Sequence, residues 1–238
     1  MQINIQQISQ IGKRQNNEDF VSSFPEQGLF IVCDGVGGNN KGEVASKLAC
    51  ETISEFIRNI ETPGEVEIKK AVSLAENELA NFIEVNPESE GMATTLALLS
   101  LSNNNATIAH IGDSRVYHIR DGQVIFQTQD HSLVNEYIAS GFISQEEAKN
   151  HPKKNVITRA IQTTGEHTEA DIKVIEDIQA NDFFILCSDG ILEGIDNAYM
   201  EANFLSKNTL NDICTGIEKM CSIYSNDNYS GIFIKVIE

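Results

Sequence analysis

The sequence is short of positive charge. Its 17 Lys and Arg stand against 35 Asp and Glu, a formal net charge of −18. Nucleic-acid binding depends on neutralising phosphates with Lys and Arg, so this balance argues against a nucleic-acid partner and disfavours attachment to an anionic membrane. No apolar run is long enough to cross a bilayer. The first residues, Met1-Gln2-Ile3-Asn4-Ile5-Gln6-Gln7, lack the basic start and apolar centre of a signal peptide, which makes a cytoplasmic address the expectation. A disulfide frame or zinc site is equally poorly provided for. The five cysteines (33, 50, 187, 214 and 221) are odd in number and include no Cys-x-x-Cys. Most lie in apolar runs or on apolar helix faces and read as small buried hydrophobes. Linkers, repeats and low-complexity tracts are also missing, so the 238 residues are expected to form one domain with a substantial core.

What the chain does have is carboxylate at the ends of apolar strands. Leu29-Phe30-Ile31-Val32-Cys33 delivers Asp34 into Gly35-Val36-Gly37-Gly38. A turn so poor in side chains can approach a ligand closely and leaves main-chain carbonyls free to face it. Carboxylate beside bare carbonyl is the donor set that hard cations such as Mg²⁺ and Mn²⁺ prefer. The run Phe183 to Cys187 repeats the theme and leads into Ser188-Asp189-Gly190. Asp113 sits in a turn between two strands, and Asp227 just precedes the last one. If these strand ends share one rim, Asp34, Asp113, Asp189 and Asp227 crowd together, and like charges a few ångströms apart repel unless a cation stands between them. Arg14 and Arg159 cannot neutralise so many acids, so the cluster points to bound divalent metal.

The remaining pattern supplies a frame. Ile3, Ile5 and Ile8, then Phe20 and Val21, read as two strands around a polar loop. Residues 43–60 and about 65–85 each carry one apolar stripe and one charged face, which suits helices covering a sheet from one side. Strands at 94–101, 106–111, 115–119 and 124–126, joined by tight turns, imply an antiparallel meander. Residues 130–165 form an excursion: a short helix closed by Gly141, then a Ser144/Glu147 capping box opening another, then Lys153 and Lys154 as a local basic patch. A helix at 209–224 and a strand at 232–237 close the chain.

Taken in order, Arg14, Asn17-Glu18-Asp19, Asp34-Gly35-Val36-Gly37-Gly38, Gly91-Met92-Ala93-Thr94-Thr95, Gly112-Asp113-Ser114-Arg115, Asp130-His131-Ser132, Ser188-Asp189-Gly190 and Asp227-Asn228 closely resemble the metal-dependent protein phosphatases of the 2C type, in their compact bacterial form. The resemblance spans about residues 8 to 237. It implies an α+β fold, a four-layer αββα sandwich of two antiparallel β-sheets flanked by helix pairs. It also implies a single catalytic domain over residues 1–238, with a flap at about 132–156 that helps select the phosphoprotein.

The resemblance further implies hydrolysis of phosphoserine and phosphothreonine in proteins by direct attack of a hydroxide bridging two Mn²⁺ or Mg²⁺ ions. By that likeness Asp34 bridges both ions, the Gly35 carbonyl binds one, and Asp189 and Asp227 complete the other's shell. One acid of the Glu18-Asp19 pair serves directly or through water, with Asp19 ranked ahead. Asp113, with Asp189, matches a weaker third site, and Arg14 matches the guanidinium that grips phosphate. Val36 stands where many eukaryotic relatives carry a His proposed as general acid, so the proton for the leaving group is expected from metal-bound water. His131, Thr94, Thr95 and Arg115 read as structural residues. The implied partners are phosphorylated proteins and a cognate cytoplasmic Ser/Thr protein kinase, with the enzyme a monomer. A phosphoprotein-binding pseudophosphatase would lack a metal acid, and none is missing; a partner-switching phosphatase of an anti-sigma-factor antagonist carries the same motifs.

Overall fold

The structure, a computed structural model, describes residues 1–36, 41–102, 104–163 and 167–237. One sheet runs in the order β1 (Ile3–Gln10), β11 (Tyr229–Val236), β10 (Phe183–Cys187), β7 (Arg115–Arg120), β8 (Gln123–Gln127). The other runs β2 (Asp19–Phe24), β3 (Leu29–Val36), β5 (Leu96–Ser102), β6 (Asn105–Ile111), β9 (Asp171–Ile175), with the short β4 (Ala93–Thr94) paired to the end of β3. Every pairing is antiparallel.

The apolar runs are strands without polar alternation because both of their faces are covered. In β3, Leu29, Ile31 and Cys33 join the core beneath α1 (Gly42–Ile57) and α2 (Glu65–Val85), while Phe30 and Val32 enter the core between the sheets. In β10, Phe183, Ile185 and Cys187 face α5 (Asp189–Gly194), α6 (Asn197–Asn203) and α7 (Leu210–Tyr224), while Phe184 and Leu186 meet the inner residues of the other sheet, such as Phe30 and Val32 of β3. The four-layer αββα sandwich is therefore present, with two helices on one side and three on the other.

One expectation fails. The strands from 94 to 127 are two hairpins in different sheets rather than one meander, because β5 pairs β6 in one sheet and β7 pairs β8 in the other. The Gly112-Asp113-Ser114 turn carries the chain across. Gly112 takes φ +94 there, and a side chain on it would press into Thr95 at 2.6 Å. A tight turn looks the same in sequence whether it reverses a strand or changes sheets. The first helix also stops at Ile57, short of Ile60.

The excursion matches its capping signals. Ser132 caps α3 (Leu133–Ala139), and Ser144 with Glu147 forms a capping box on α4 (Gln145–Lys149). Its ends are pinned by bridges from Ser132 to Ile157 and from Thr94 to Ile161. Among the described residues, no helix is long and apolar enough to cross a membrane.

Candidate active site

Asp34 is aimed by the backbone around it. Its amide donates to Thr95 Oγ1, and its carbonyl accepts from the Thr95 amide and from Thr94 Oγ1, each at 2.9 Å. The β2–β3 register sets Asp19 directly opposite. The Gly35 amide donates to the Glu18 carbonyl at 3.0 Å, and a Cβ on Gly35 would collide with the Gly42 carbonyl. A Cβ on Gly42 would in turn stand 2.9 Å from the Gly35 carbonyl oxygen and 3.0 Å from the Glu18 carboxylate. Two bare glycines thus keep one carbonyl and one carboxylate open to a ligand.

The sheet of β10 and β11 brings the other acids. Asp189 opens α5, and the Ser188 before it donates from its hydroxyl to Asp19 Oδ2 at 2.8 Å and accepts the Ser230 amide at 3.0 Å. Asn228 ties the polar N-terminal loop to the closing strand. Its Nδ2 donates to the carbonyls of Ile11 and Asn16, and its Oδ1 accepts the Glu18 amide, all at 2.8 Å. Gly12 at φ +59 and Gly190 let the backbone of Asp227 and Asn228 pass with no room for a Cβ. Asp113 rides the crossing turn, which His131 holds. The His131 ring Nδ1 accepts the Gly112 amide at 3.1 Å, and its own amide donates to the Gly112 carbonyl at 2.8 Å. Arg115 forks onto Asp130 at 2.6 and 2.7 Å. The structural roles expected of Thr94, Thr95, His131 and Arg115 all hold.

A cleft of about 250 Å³ results, lined by Arg14, Glu18, Asp34, Gly35, Val36, Asp113, Asp189 and Asp227, with Asn155, Ile157 and Asn228 completing the wall. Its electrostatics are those of acids without partners. Burial, then the charges of Asp19, Asp189, Asp113 and Asp227, hold Asp34 well above the usual carboxylate range. Burial and the Asp113 and Asp227 charges push Asp189 up to about 8. Burial and Asp130 push Asp113 up to about 6, and Asp19 is likewise pushed up to about 6 by burial. Glu18 is raised by burial and by Glu43. Against them, Arg14 is the one cation among the described lining residues, and it pairs with Asp227 at 2.5 Å with 58% of its side chain exposed.

The donor set fits hard divalent cations. It is all oxygen, it is anionic, and Asp19 Oδ1 is buried without a hydrogen-bond partner. Among the described residues no three of these acids stand at the spacing of a shared ion, so cation binding would draw the carboxylates inward.

The family model described as Protein phosphatase 2C matches residues 7–217. The chain belongs to the protein phosphatase 2C family. Among protein phosphatase 2C relatives, the serine/threonine phosphatase stp of Listeria innocua is 34% identical over 231 residues, covering 93% of this chain and 91% of its own. The Mycobacterium tuberculosis serine/threonine phosphatase PstP superposes with a TM-score of 0.88 at 30% identity over 99% of both chains. A second structure, the PstP catalytic domain in complex with two manganese ions, superposes with a TM-score of 0.84 at 30% identity, covering 99% of each chain. As a protein phosphatase 2C with bacterial relatives of this kind, the chain is a serine/threonine protein phosphatase.

Not every residue of this protein phosphatase 2C lies where the sequence suggests. Glu18 lines the cleft, whereas Asp19 is buried behind it on Ser188. Arg159 is away from the cleft, with its guanidinium on Asp171 at 2.6 Å and on the Glu169 carbonyl at 3.1 Å. Gly37 and Gly38 fall outside the described residues. Ser188 and Asn228 stand inside motifs that gave them no role of their own, and the close approach at Gly42 carried no signal. Nor did the contribution of Asn155 and Ile157 to the wall.

Proposed function

We propose that this phosphatase works with two divalent cations, Mn²⁺ or Mg²⁺, held at the Asp34 cleft, and that phosphate is transferred directly to water. The observation that carries this is the convergence of Glu18, Asp34, Asp113, Asp189 and Asp227, with one bare carbonyl, on a single cleft faced by a single guanidinium. When bound, the ions supply Lewis acidity that readies a water for in-line attack and offsets charge on the phosphoryl oxygens.

The chain's own residues divide the remaining work. Asp34, with acids on every side, would bridge the ions, and Gly35 would lend its carbonyl to one. Asp189 and Asp227 would complete the coordination of the other. Glu18 would act from the cleft wall, and Asp19 would act through its unpartnered Oδ1. Asp113, with Asp189, would form a weaker third site. Arg14 restrains Asp227 and presents its planar fork at the mouth, where it would take the phosphoryl group. Val36 gives the wall an apolar side chain that holds no proton. We take residues 132–156 as a flap, since Asn155 stands at the cleft, and residues 1–238 as one catalytic unit. The expected setting is a cytoplasmic monomer that removes phosphate placed on shared protein substrates by a Ser/Thr kinase.

Turnover of a phosphothreonine peptide in ¹⁸O-labelled water tests the direct transfer. The expected result is Mn²⁺-dependent release of phosphate carrying one ¹⁸O, with no phosphoenzyme on rapid acid quench. A trapped phosphoenzyme, or full turnover in chelator, would overturn it.

A further inference from the structure

A larger cavity, about 490 Å³, opens beside the catalytic cleft and shares Arg14, Glu18, Asp227 and Asn228 with it. The rest of its wall is Lys13, Gln15, Asn16, Lys41 and Glu43. Three cations in one concavity is a local reversal in a chain of net charge −18. Two of the three acids there, Glu18 and Asp227, belong to the set assigned above to cations. Among the described lining residues that leaves Glu43 alone against Lys13, Arg14 and Lys41.

Neither lysine is well used by the fold. Lys13 Nζ donates to the Ile223 carbonyl and to Asn226 Oδ1 at the end of α7, but both contacts are long, at 3.3 Å. Lys41 Nζ lies 3.9 Å from Glu43 on an exposed surface, where such a pair contributes little. Lys41 also takes φ +67. Among the described residues the other non-glycine residues with positive φ are Asp121, Asp177 and Asn181, types whose short polar side chains tolerate that conformation. A glycine at 41 would be unstrained, so the lysine there has a use beyond the turn.

We infer that this cavity is a substrate subsite that reads a second anion, a carboxylate or phosphoryl group on a residue flanking the one being hydrolysed. It presupposes the phosphatase function proposed above. A peptide seated in the cleft runs onto the cavity because the two share a wall. An extended chain advances about 3.3 Å per residue, which brings a near neighbour of the phosphoresidue over Lys13 and Lys41. Gln15 and Asn16 add neutral donors to the same wall. Charges so placed act on partner selection and encounter, and their effect weakens with salt.

The test compares phosphothreonine peptides that differ only at the flanking positions: Gln, Glu, or a second phosphoserine, with the Mn²⁺-loaded enzyme throughout. The reading is loss of the phosphothreonine phosphate alone, followed by mass spectrometry because a flanking phosphoserine is itself a substrate. It is expressed as the ratio of kcat/KM for each anionic peptide to that for the Gln peptide, so partial unfolding of a variant cancels. The expected ratio is about tenfold at low salt, as two exposed charge pairs would give. It falls toward one at high salt and in the double variant Lys13→Gln with Lys41→Gly. A larger ratio for the second phosphoserine than for Glu identifies a phosphoryl group as the preferred anion; the reverse identifies a carboxylate. A wild-type ratio near one for both anionic peptides, or a preference that survives the double variant, overturns the subsite alone. Failure to turn over any of the peptides overturns the phosphatase function and the subsite with it.

Discussion

Asp34 and Asp189 reach the same cleft by different routes. Asp34 stays within its strand: β3 continues to Val36, and Thr94 and Thr95 hold the Asp34 amide and carbonyl in the ladder. Asp189 leaves its strand and opens α5, supported by Ser188 from behind. The Asp34 carboxylate is held by a strand ladder, whereas Asp189 is held by Ser188 before it and by Gly190 packed against the Asn228 carbonyl after it. Their surroundings differ as well. Asp34 is raised by burial and then by Asp19, Asp189, Asp113 and Asp227 together, which is the signature of a group at the centre. Asp189, pushed up to about 8 by burial first, stands on the side of Asp113 and Asp227. The central acid suits a bridge, and the one to the side suits a terminal ligand.

The largest test of this contrast is the pH dependence of metal-free protein. Both acids hold their protons more tightly folded than unfolded, so between the unfolded value near 4 and the folded value of about 8 for Asp189 the native state binds the extra proton. Stability is therefore fully present below pH 4 for these groups and declines as pH rises toward 8, by a few kcal/mol in all, at ~1.4 kcal/mol for each tenfold difference in proton affinity between the folded and unfolded chain. Denaturant melts in chelator measure it. Asp34→Asn and Asp189→Asn should each flatten the decline, and a profile flat from pH 5 to 8 in the unmodified protein would contradict the crowding. Added Mn²⁺ should restore most stability at the alkaline end.

Next in size are the glycines. Ala at Gly35 meets the Gly42 carbonyl, and Ala at Gly190 meets the Asn228 carbonyl, so each should cost about 2–3 kcal/mol by thermal melt. Gly35→Ala should also lower metal affinity, since the displaced peptide carries the carbonyl proposed as a ligand. Asn228→Ala strands two carbonyls and one amide and should cost about 1–3 kcal/mol, disturbing the Asp227 side more than the Asp34 side. Of similar size is Thr95→Val, which strands the Asp34 amide and the buried Ser114 hydroxyl that Thr95 Oγ1 meets at 2.6 Å; it should cost about 1–3 kcal/mol and lower turnover as well.

Much of this architecture was legible in the sequence because burial on both faces writes itself as an unbroken apolar run, as at 29–33 and 183–187. The helices α3 and α4 were legible from their caps. What stayed hidden was non-local or too short to have a period. Helix α5 is six residues with a Gly at each end of its Ile-Leu-Glu centre, and β9 is a five-residue edge strand, too short to show a period. The sheet-crossing turn at Asp113 could be told from a hairpin only by knowing which strands stack. The acids of the cleft were found singly, by type and position. Their meeting depends on two sheets laid face to face, and Asp19 is buried behind the wall that Glu18 lines because Ser188 reaches it across those sheets.

The central claim is that Asp34 and Asp189 hold the cations that drive phosphate release. Phosphate liberated from a phosphothreonine peptide is to be measured across a Mn²⁺ titration for the unmodified chain, Asp34→Ala and Asp189→Ala. Mn²⁺-dependent turnover is expected, falling in both variants by more than the 10–100-fold typical of residues that only support a ligand. In Asp189→Ala alone, part of the activity should return at high Mn²⁺. Turnover near the unmodified rate in either variant at low Mn²⁺ would contradict it.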